Sequence, residues 1–163
     1  MHTEKDFIQS IEQNQKIIHK VCNLYMDNEQ DKKDLFQEIV LNAWKGFRNF
    51  KGEAKLSTWL YRVALNTAIT FYRREKRKVE TAAFKEHYAN TLSDTRFKED
   101  EQLTAMHKAI ADLSKIDKGL VMLYLEDYHY QDIGDIMGIS PNNVAVKMNR
   151  IKTKLKETSK KYL

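Results

Sequence analysis

The chain has 163 residues and a single proline, whose position strongly constrains the fold. Pro141 follows Gly138-Ile139-Ser140. In this segment Gly138 is of a type that often ends a helix, and Ser140 is of a type that often caps the start of the next one. Glycine readily adopts the left-handed conformation that ends many helices, and serine accepts a hydrogen bond where the next helix begins. Proline is favoured at the first helical position, where its missing N–H is not needed. The sequence therefore predicts a helix, a three-residue turn and a second helix within Tyr130–Glu157.

The second helix of this pair has an apolar and a polar side. Its apolar residues recur at helical spacing and are predicted to face a core: Val144, Met148, Ile151 and Leu155. The other side carries Asn142, Ala145 and Asn149, flanked by the cations Lys147, Arg150 and Lys154. A helix-turn-helix with a polar, cation-edged second helix is typical of proteins that insert this helix into the major groove. The alternative is a plain helical hairpin with a solvated basic face.

The rest of the composition predicts an all-α protein. One proline and five glycines leave little material for β turns, and long stretches are rich in residues that favour helices. The formal net charge of +5 is modest, but the charge is concentrated. The segment from Arg62 to Lys78 contains six basic residues and one acidic residue. The segment from Ser140 to Leu163 contains seven basic residues and one acidic residue. Two basic blocks predict two contacts with a polyanion.

The sequence lacks the signatures of enzymes and metal proteins. Cys22 is alone, so it can form neither an internal disulfide nor a thiolate metal site, and we expect it in the core. The five histidines have no metal-ligand spacing, and no nucleotide-binding, zinc-protease or nucleophile-elbow motif is present. We expect no enzymatic activity, no catalytic residue, no cofactor and no metal. Without a signal peptide or a long apolar run, the chain is predicted to be soluble and cytoplasmic.

Apolar periodicity predicts two small helical domains joined by a linker. The first domain has helices at Glu4–Asp27, at Asp31–Arg48 and from Ser57 or Thr58 to about Arg77. The segment Val79–Gln102 has weak periodicity and is predicted to be a linker, partly helical. Helices at Leu103–Leu113 and Ile116–Glu126, the second capped by Asp117, precede the helix-turn-helix. The lysine-rich C-terminus is predicted to fray.

Apolar stripes predict which side of each helix is buried. In the first domain the inward residues are Phe7, Ile11, Ile18, Cys22 and Tyr25, then Phe36, Val40, Ala43 and Phe47, then Leu60, Val63, Ala64, Thr67 and Phe71. In the second domain they are Met106, Ile110 and Leu113, then Leu120, Leu123 and Tyr124. Tyr61, Leu65 and Tyr72 are predicted on a third side of their helix, apart from its inner stripe and its polar stripe.

Two surfaces of the first domain admit two interpretations each. On the second helix, Leu41 is predicted to be exposed among polar and acidic residues, which indicates either a solvated face or a partner-binding face. On the third helix, Arg62, Asn66 and Arg73 form a polar stripe near Trp59. Aromatic rings stack on unpaired bases while cations hold the phosphates, but aromatic residues also commonly pack a core.

The chain resembles a known family over two segments. Asp34–Arg77 contains, in order, the motifs DLxQE, AW, F-x-G, TWLYR and NTA, and it resembles region 2 of the sigma-70 family of bacterial sigma factors. Ala109–Glu157 resembles region 4 of the same family. The likeness is greatest to the small extracytoplasmic-function (ECF) group, because the chain has no room for the additional domains of housekeeping sigma factors.

The resemblance implies a transcription-initiation subunit. Residues 1–78 would form region 2, residues 79–102 the linker and residues 103–163 region 4. Such proteins bind core RNA polymerase through the clamp helices of the β′ subunit and through the β flap, and direct it to promoter DNA. Region 2 captures the melted strand of the −10 element, region 4 reads the −35 element as duplex, and an anti-sigma factor is an expected further partner.

The resemblance also implies residue roles. The positions that match the polymerase-docking surface are Asp34, Gln37, Glu38 and Leu41. The positions expected at the −10 strand are Lys51, Lys55, Trp59, Arg62, Asn66, Arg73 and Arg74. The positions expected at the −35 duplex are Ser140, Asn142, Asn143, Ala145, Lys147, Asn149 and Arg150.

The chain departs from the family pattern in region 4. Ala145 stands where many relatives have a basic residue, and Asn149 stands where the side chain is often larger. Alanine can offer a methyl contact and asparagine can pair with adenine, so the −35 contacts are predicted to be fewer or shifted. Leu113-Ser114-Lys115-Ile116 replaces the usual Leu-Pro-Pro-like turn.

Two alternatives make different predictions. A homodimeric helix-turn-helix regulator that is not a polymerase subunit would form a stable dimer and bind duplex DNA alone. An adaptor or anti-sigma-like protein would bind polymerase or partner helices without DNA. Its affinity would be indifferent to salt, whereas phosphate contacts weaken steeply as salt rises.

Overall fold

The computed structural model describes residues 3–52, 54–79 and 101–162, and for residues 72–79 it describes the backbone alone. Within this part of the chain there are eight α-helices and no strand, which confirms the all-α prediction. The chain divides into two compact units, Met1–Phe84 and Lys85–Leu163. Most of the predicted linker, residues 80–100, lies outside the described residues.

The first unit contains four helices: α1 (Glu4–Gln13), α2 (Gln15–Tyr25), α3 (Glu29–Phe47) and α4 (Leu56–Val79). Helices α2, α3 and α4 pack against one another, and α1 packs against α3. The prediction of a single first helix is wrong, because the helix is interrupted at Asn14. The Asn14 amide donates to the carbonyl oxygen of Ser10 at 2.8 Å. Such side-chain bonds compete with the helical backbone ladder.

The core of the first unit agrees with the prediction in part. All five predicted residues of α1 and α2, from Phe7 to Tyr25, are buried. In α3, Ala43 and Phe47 are buried as predicted, but Leu35 and Ile39 complete the buried stripe in place of the half-buried Phe36 and Val40. In α4 the side chains of Tyr61 and Leu65 belong to the core, contrary to prediction. The buried surface of α4 is wider than one stripe because α4 packs against both α2 and α3.

Helices α3 and α4 also share a polar contact. The amide nitrogen of Asn42 donates to the Thr67 hydroxyl at 2.9 Å, and this hydroxyl donates to the carbonyl oxygen of Val63 at 2.7 Å. Thr67 is buried, and its hydroxyl is therefore fully engaged. Because unsatisfied buried groups are costly, this chain of hydrogen bonds fixes the rotation of α4 against α3.

Cys22 is a buried core residue, as predicted. Burial raises the pKa of its thiol from 9.0 to about 11, and the nearby Lys32 only partly opposes this. A rise of two units leaves about a hundredfold less thiolate at mildly alkaline pH. A thiolate of higher pKa is also a stronger nucleophile, so we expect a disulfide reagent to label the folded chain at least about tenfold more slowly than the urea-unfolded chain. Equal rates in a colorimetric thiol assay would contradict the burial of Cys22.

The second unit contains α5 (Glu101–Ala111), α6 (Lys115–Leu125), α7 (Tyr130–Met137) and α8 (Pro141–Lys161). Helix α8 packs against each of the other three. The residue that caps helix α6 is Ser114, not Asp117 as predicted. The Ser114 hydroxyl accepts a hydrogen bond from the backbone N–H of Asp117 at 3.2 Å. Asp117 instead places a carboxylate in the first turn, where it stabilises the helix.

In the second unit, Met106 and Tyr124 were predicted to face inward but are exposed. On α5, Ala105 and Ala109 are buried and Met106 is exposed, so α5 meets the rest of the unit with small side chains. Tyr124 is also exposed, and the Lys152 amine lies 4.5 Å from the centre of its ring. A hydrogen bond with the Tyr124 hydroxyl raises the pKa of Lys152. The contact ties the outer side of α6 to α8.

The C-terminus does not fray as predicted. Helix α8 continues to Lys161, and the following Tyr162 hydroxyl donates a hydrogen bond to the Asp112 carboxylate. This hydrogen bond raises the pKa of Tyr162, since losing the proton would break it. The Lys108 amine lies 5.6 Å from the centre of the Tyr162 ring. These contacts attach the end of α8 to α5.

Among the described helices none is long and apolar enough to cross a membrane.

Candidate polymerase and nucleic-acid interfaces

The predicted polymerase-docking residues share one face of α3. Asp34, Gln37 and Leu41 are exposed, and Glu38 is half-buried between them. Leu41 is 46% exposed although it lies in the middle of a long helix whose opposite side is core. The Gln30 amide donates to Asp34 at 3.3 Å, which holds this carboxylate at the edge of the face. The face therefore offers an apolar centre with an acidic border.

The predicted −10 residues of α4 also share one face. Lys55 precedes the helix, and Trp59, Arg62 and Asn66 follow it at intervals of four, three and four residues. Lys55, Arg62 and Asn66 are exposed, and Trp59 is half-buried. The structure thus brings two cations, an indole ring and an amide into one row. Helix α4 continues through the positions of Arg73 and Arg74, but their side chains lie outside the described part.

Trp59 connects this row to the loop before α4. Its ring lies 5.2 Å from the ring of Phe50 and 6.2 Å from that of Phe47, measured between centroids. The Phe47 ring in turn lies 5.2 Å from Phe7 in α1. Trp59 therefore both closes the core and holds the loop through Phe50. Lys51 follows Phe50 and is exposed, and Gly52 next to it has φ of 75°, a conformation that favours glycine.

The turn of the helix-turn-helix has the predicted geometry. Gly138 ends α7 in the left-handed conformation with φ of 77°, and Pro141 is the first residue of α8. The Ser140 hydroxyl accepts the Asn143 N–H at 3.2 Å. The sequence did not indicate the role of Gly134, where an added Cβ would lie only 2.5 Å from the Ile139 carbonyl oxygen. Only glycine allows this close approach of α7 to the turn.

The predicted −35 residues do not all lie on the outermost side of α8. Asn142, Asn143, Asn149 and Arg150 are exposed, whereas Ala145 and Lys147 are half-buried toward the sides of the helix. Ser140 is exposed, but its oxygen already caps α8. The outward face also contains Val146, which is 49% exposed and was missed in the sequence analysis. Its position two residues after the buried Val144 was the available signal, since successive residues rotate by 100°.

Comparison with known proteins identifies the family of both units. The family model of sigma-70 region 2 matches residues 10–78, and the model of sigma-70 region 4 matches residues 103–155. The chain belongs to the sigma-70 family. Its relatives place it in the ECF group, as the sequence motifs predicted. Proteins of this family are non-enzymatic transcription-initiation factors. No cluster of potential metal ligands occurs among the residues that the structure describes.

The relatives match most of the chain at low identity. The chain is 26% identical over 137 residues to the RNA polymerase sigma factor YlaC of Bacillus subtilis, covering 79% of this chain and 78% of YlaC. It is 25% identical over 145 residues to the ECF RNA polymerase sigma factor SigW of the same organism, covering 82% and 78% of the two chains. The recognised family and the sigma-factor function are therefore confirmed, and nothing favours the homodimeric regulator.

A solved structure has the same fold. The sigma factor RpoE of Bartonella quintana, in complex with the anti-sigma factor NepR, superposes with a TM-score of 0.70 at 21% identity, covering 96% of this chain and 98% of RpoE. CnrH, in complex with the cytosolic domain of CnrY, has a TM-score of 0.66 at 17% identity, covering 95% of this chain and 88% of CnrH. At these identities the likeness concerns the fold alone.

Proposed function

We propose that this sigma factor uses four surfaces to recruit core RNA polymerase to promoters. The α3 face around Leu41 docks on the β′ clamp helices. The α4 row from Lys55 to Asn66 captures the melted −10 strand, with Lys51, Arg73 and Arg74 contributing at its ends. The outward face of α8 reads the −35 duplex, and the apolar surface around Leu113–Tyr128 contacts the β flap. In this assignment residues 1–78 form region 2, residues 79–102 the linker and residues 103–163 region 4.

The observation that carries the proposal is the pairing of two unlike exposed faces in one packed unit. Helices α3 and α4 pack against each other and are also joined by the Asn42–Thr67 hydrogen bond at 2.9 Å. One presents a half-exposed leucine among acids, and the other presents exposed cations and an amide beside Trp59. A duplex-binding regulator needs only the helix-turn-helix, whereas a sigma factor needs a protein-binding face and a strand-binding face on the same rigid body.

The row on α4 has the chemistry that strand capture needs. Extruding a base from the duplex costs a few kcal/mol in lost stacking, so the receiving surface must already be formed. The Trp59–Phe50 contact holds the loop before the strand arrives. Lys55 and Arg62 supply positive charge for phosphates, and the Asn66 amide can both donate to and accept from a base edge.

The partners and place of action follow from this assignment. RNA polymerase and promoter DNA are present together in the bacterial cytoplasm, where we expect the protein to act. The structural relative RpoE was solved with an anti-sigma factor, and we propose a partner of this class for the present chain as well. Such a partner would compete with polymerase for the faces described above.

Run-off transcription tests the proposal directly. Core RNA polymerase is combined with the purified full chain on a library of promoter fragments, and the transcripts are sequenced. We expect discrete start sites that depend on the added chain. Binding to duplex DNA without any transcript would favour the helix-turn-helix regulator. Binding to core polymerase that is indifferent to salt, with neither DNA binding nor a transcript, would favour the adaptor.

The Asn66→Ala variant separates strand capture from polymerase docking. Asn66 is exposed on α4 and is not one of the proposed docking residues of α3, so core binding should stay within about twofold of wild type. Loss of hydrogen bonds to a base should reduce open-complex formation about tenfold. Permanganate footprinting of melted thymines measures the second effect, and a binding titration measures the first.

Asn23→Ala is the matched control for this prediction. Asn23 is an exposed asparagine in the same unit, but it lies on α2, outside all four surfaces. We expect the control to melt promoters like wild type. If Asn66→Ala abolished core binding, or if both variants lost melting equally, the assignment of the α4 face would be wrong.

A further inference from the structure

Val146 is an apolar side chain at the centre of an otherwise polar helix face. Counted at 100° per residue from the buried Val144, it points about 200° away, nearly opposite the core stripe. It is 49% exposed and so contributes little to the core of the unit. One exposed valine alone would need no explanation. Its neighbours on the same face are what give it significance.

Those neighbours match the functional groups of an adenine–thymine sequence. Asn142 lies one turn before Val146 and Asn149 one turn after it, and both are exposed. Their side-chain amides have no hydrogen-bond partner within the described part of the chain. Asparagine pairs with the N6 and N7 atoms of adenine, and an apolar side chain contacts the C5-methyl group of thymine. The seven residue steps from Asn142 to Asn149 rise by about 10 Å, which corresponds to about three base-pair steps.

The charges around this row fit duplex DNA as its occupant. Arg150 and Lys154 are exposed beside the row and can hold phosphates on one flank. Lys152 does not join them, because it is engaged with the ring of Tyr124 at 4.5 Å. The row of Asn142, Val146 and Asn149 carries no charge, so it can contact base edges in the major groove. The adjacent cations can contact the phosphates of the DNA backbone.

We propose that Val146 is a specificity-determining residue that reads a thymine through its C5-methyl group, between positions read by Asn142 and Asn149. This inference rests on the proposed function of α8 as the helix that enters the −35 duplex. It adds the identity of a preferred base and the atom by which it is recognised. It also explains how α8 reads sequence although Ala145 is half-buried at the side of the helix.

Removal of single methyl groups tests the assignment. Duplexes are first selected from a random pool by holoenzyme reconstituted from core polymerase and the full chain. Each thymine of the selected −35 element is then replaced by deoxyuridine, which lacks only the methyl group. One replacement should weaken binding by the wild-type holoenzyme about fourfold, the value for one buried methyl-sized group. The Val146→Ala holoenzyme should bind the thymine duplex about fourfold more weakly and ignore this replacement.

Thr153→Ala is the matched control. Thr153 is exposed on the same outward face two turns later, and its hydroxyl donates to the Asn149 carbonyl oxygen at 3.1 Å. This variant should keep the methyl preference. The assignment of Val146 would be overturned if no thymine were sensitive to its methyl group, or if Val146→Ala kept the sensitivity. Failure to select any duplex, together with absence of transcripts, would instead overturn the proposed function and this inference with it.

Discussion

The Leu41→Glu variant is expected to lose at least about a hundredfold in affinity for core RNA polymerase. Leu41 is the apolar centre of the docking face on α3, and burying it against a partner contributes about 2 kcal/mol. A glutamate there loses this contribution and places an unpaired charge in the interface, which adds a penalty of several kcal/mol if it stays ionised. Titration of labelled core polymerase with the variant measures the loss, and chain-dependent run-off transcription should fall in parallel.

Ile8→Glu provides the control for this effect. Ile8 is 49% exposed, nearly the same as Leu41, and lies in the same unit on α1, outside the docking face. Both variants replace an exposed aliphatic side chain by glutamate and add one negative charge. For Ile8→Glu, however, we expect an affinity for core polymerase within about twofold of wild type. Both variants change exposed positions, so their circular dichroism should match wild type. Equal losses for both would place the docking surface elsewhere.

The Gly134→Ala variant is expected to destabilise the second unit by about 3 kcal/mol, near the upper range for an overpacked site. The added Cβ would lie 2.5 Å from the Ile139 carbonyl oxygen, a backbone atom that cannot rotate away. The same turn depends on the Gly134 carbonyl oxygen, which accepts N–H groups from Gly138 at 2.8 Å and Ile139 at 3.0 Å. A shift that relieves the clash would disturb these bonds. In so small a unit this corresponds to a fall in Tm of about 15 °C.

The chain contains an internal reference for this experiment. Both tryptophans, Trp44 and Trp59, lie in the first unit. Tryptophan fluorescence should therefore follow unfolding of the first unit and remain unchanged in Gly134→Ala. Far-UV circular dichroism reports both units and should show an earlier transition. A shift of the fluorescence transition by the same amount would show that the two units unfold together.

Gly138→Ala is the comparison variant within the same turn. Gly138 has φ of 77°, which disfavours alanine, but nothing lies within 4 Å of an added Cβ. We expect a loss of only about 1 kcal/mol from the backbone conformation. A larger loss for Gly138→Ala than for Gly134→Ala would contradict the close approach of α7 to the turn.

The helix-turn-helix was predictable because its signals are local. The glycine, the capping serine and the proline each act through hydrogen bonds or dihedral angles within four residues. The acidic face of α3 and the polar row of α4 were recognisable from periodicity and motifs. The assignment of roles to them came from the family resemblance, and it remains a prediction.

The misassigned residues depended on neighbouring helices. In α3, apolar residues occur in two adjacent registers, and packing selected Leu35 and Ile39 over Phe36 and Val40. In α4, contact with two helices extended the core to Tyr61 and Leu65. In α5, alanines form the buried side and Met106 is exposed, although Met106 is the more hydrophobic residue. Periodicity gives the number of apolar stripes but not which of two overlapping stripes is covered.

The sequence by itself determined the all-α class, the Gly138–Pro141 turn and the family. These depend on local backbone chemistry and on motifs that can be read without distant contacts. The tertiary structure decided that Trp59 holds the Phe50 loop and that Gly134 must lack a side chain. Each of these results from the close approach or burial of particular atoms. Such proximity is set by how helices pack, and a one-dimensional pattern does not contain it.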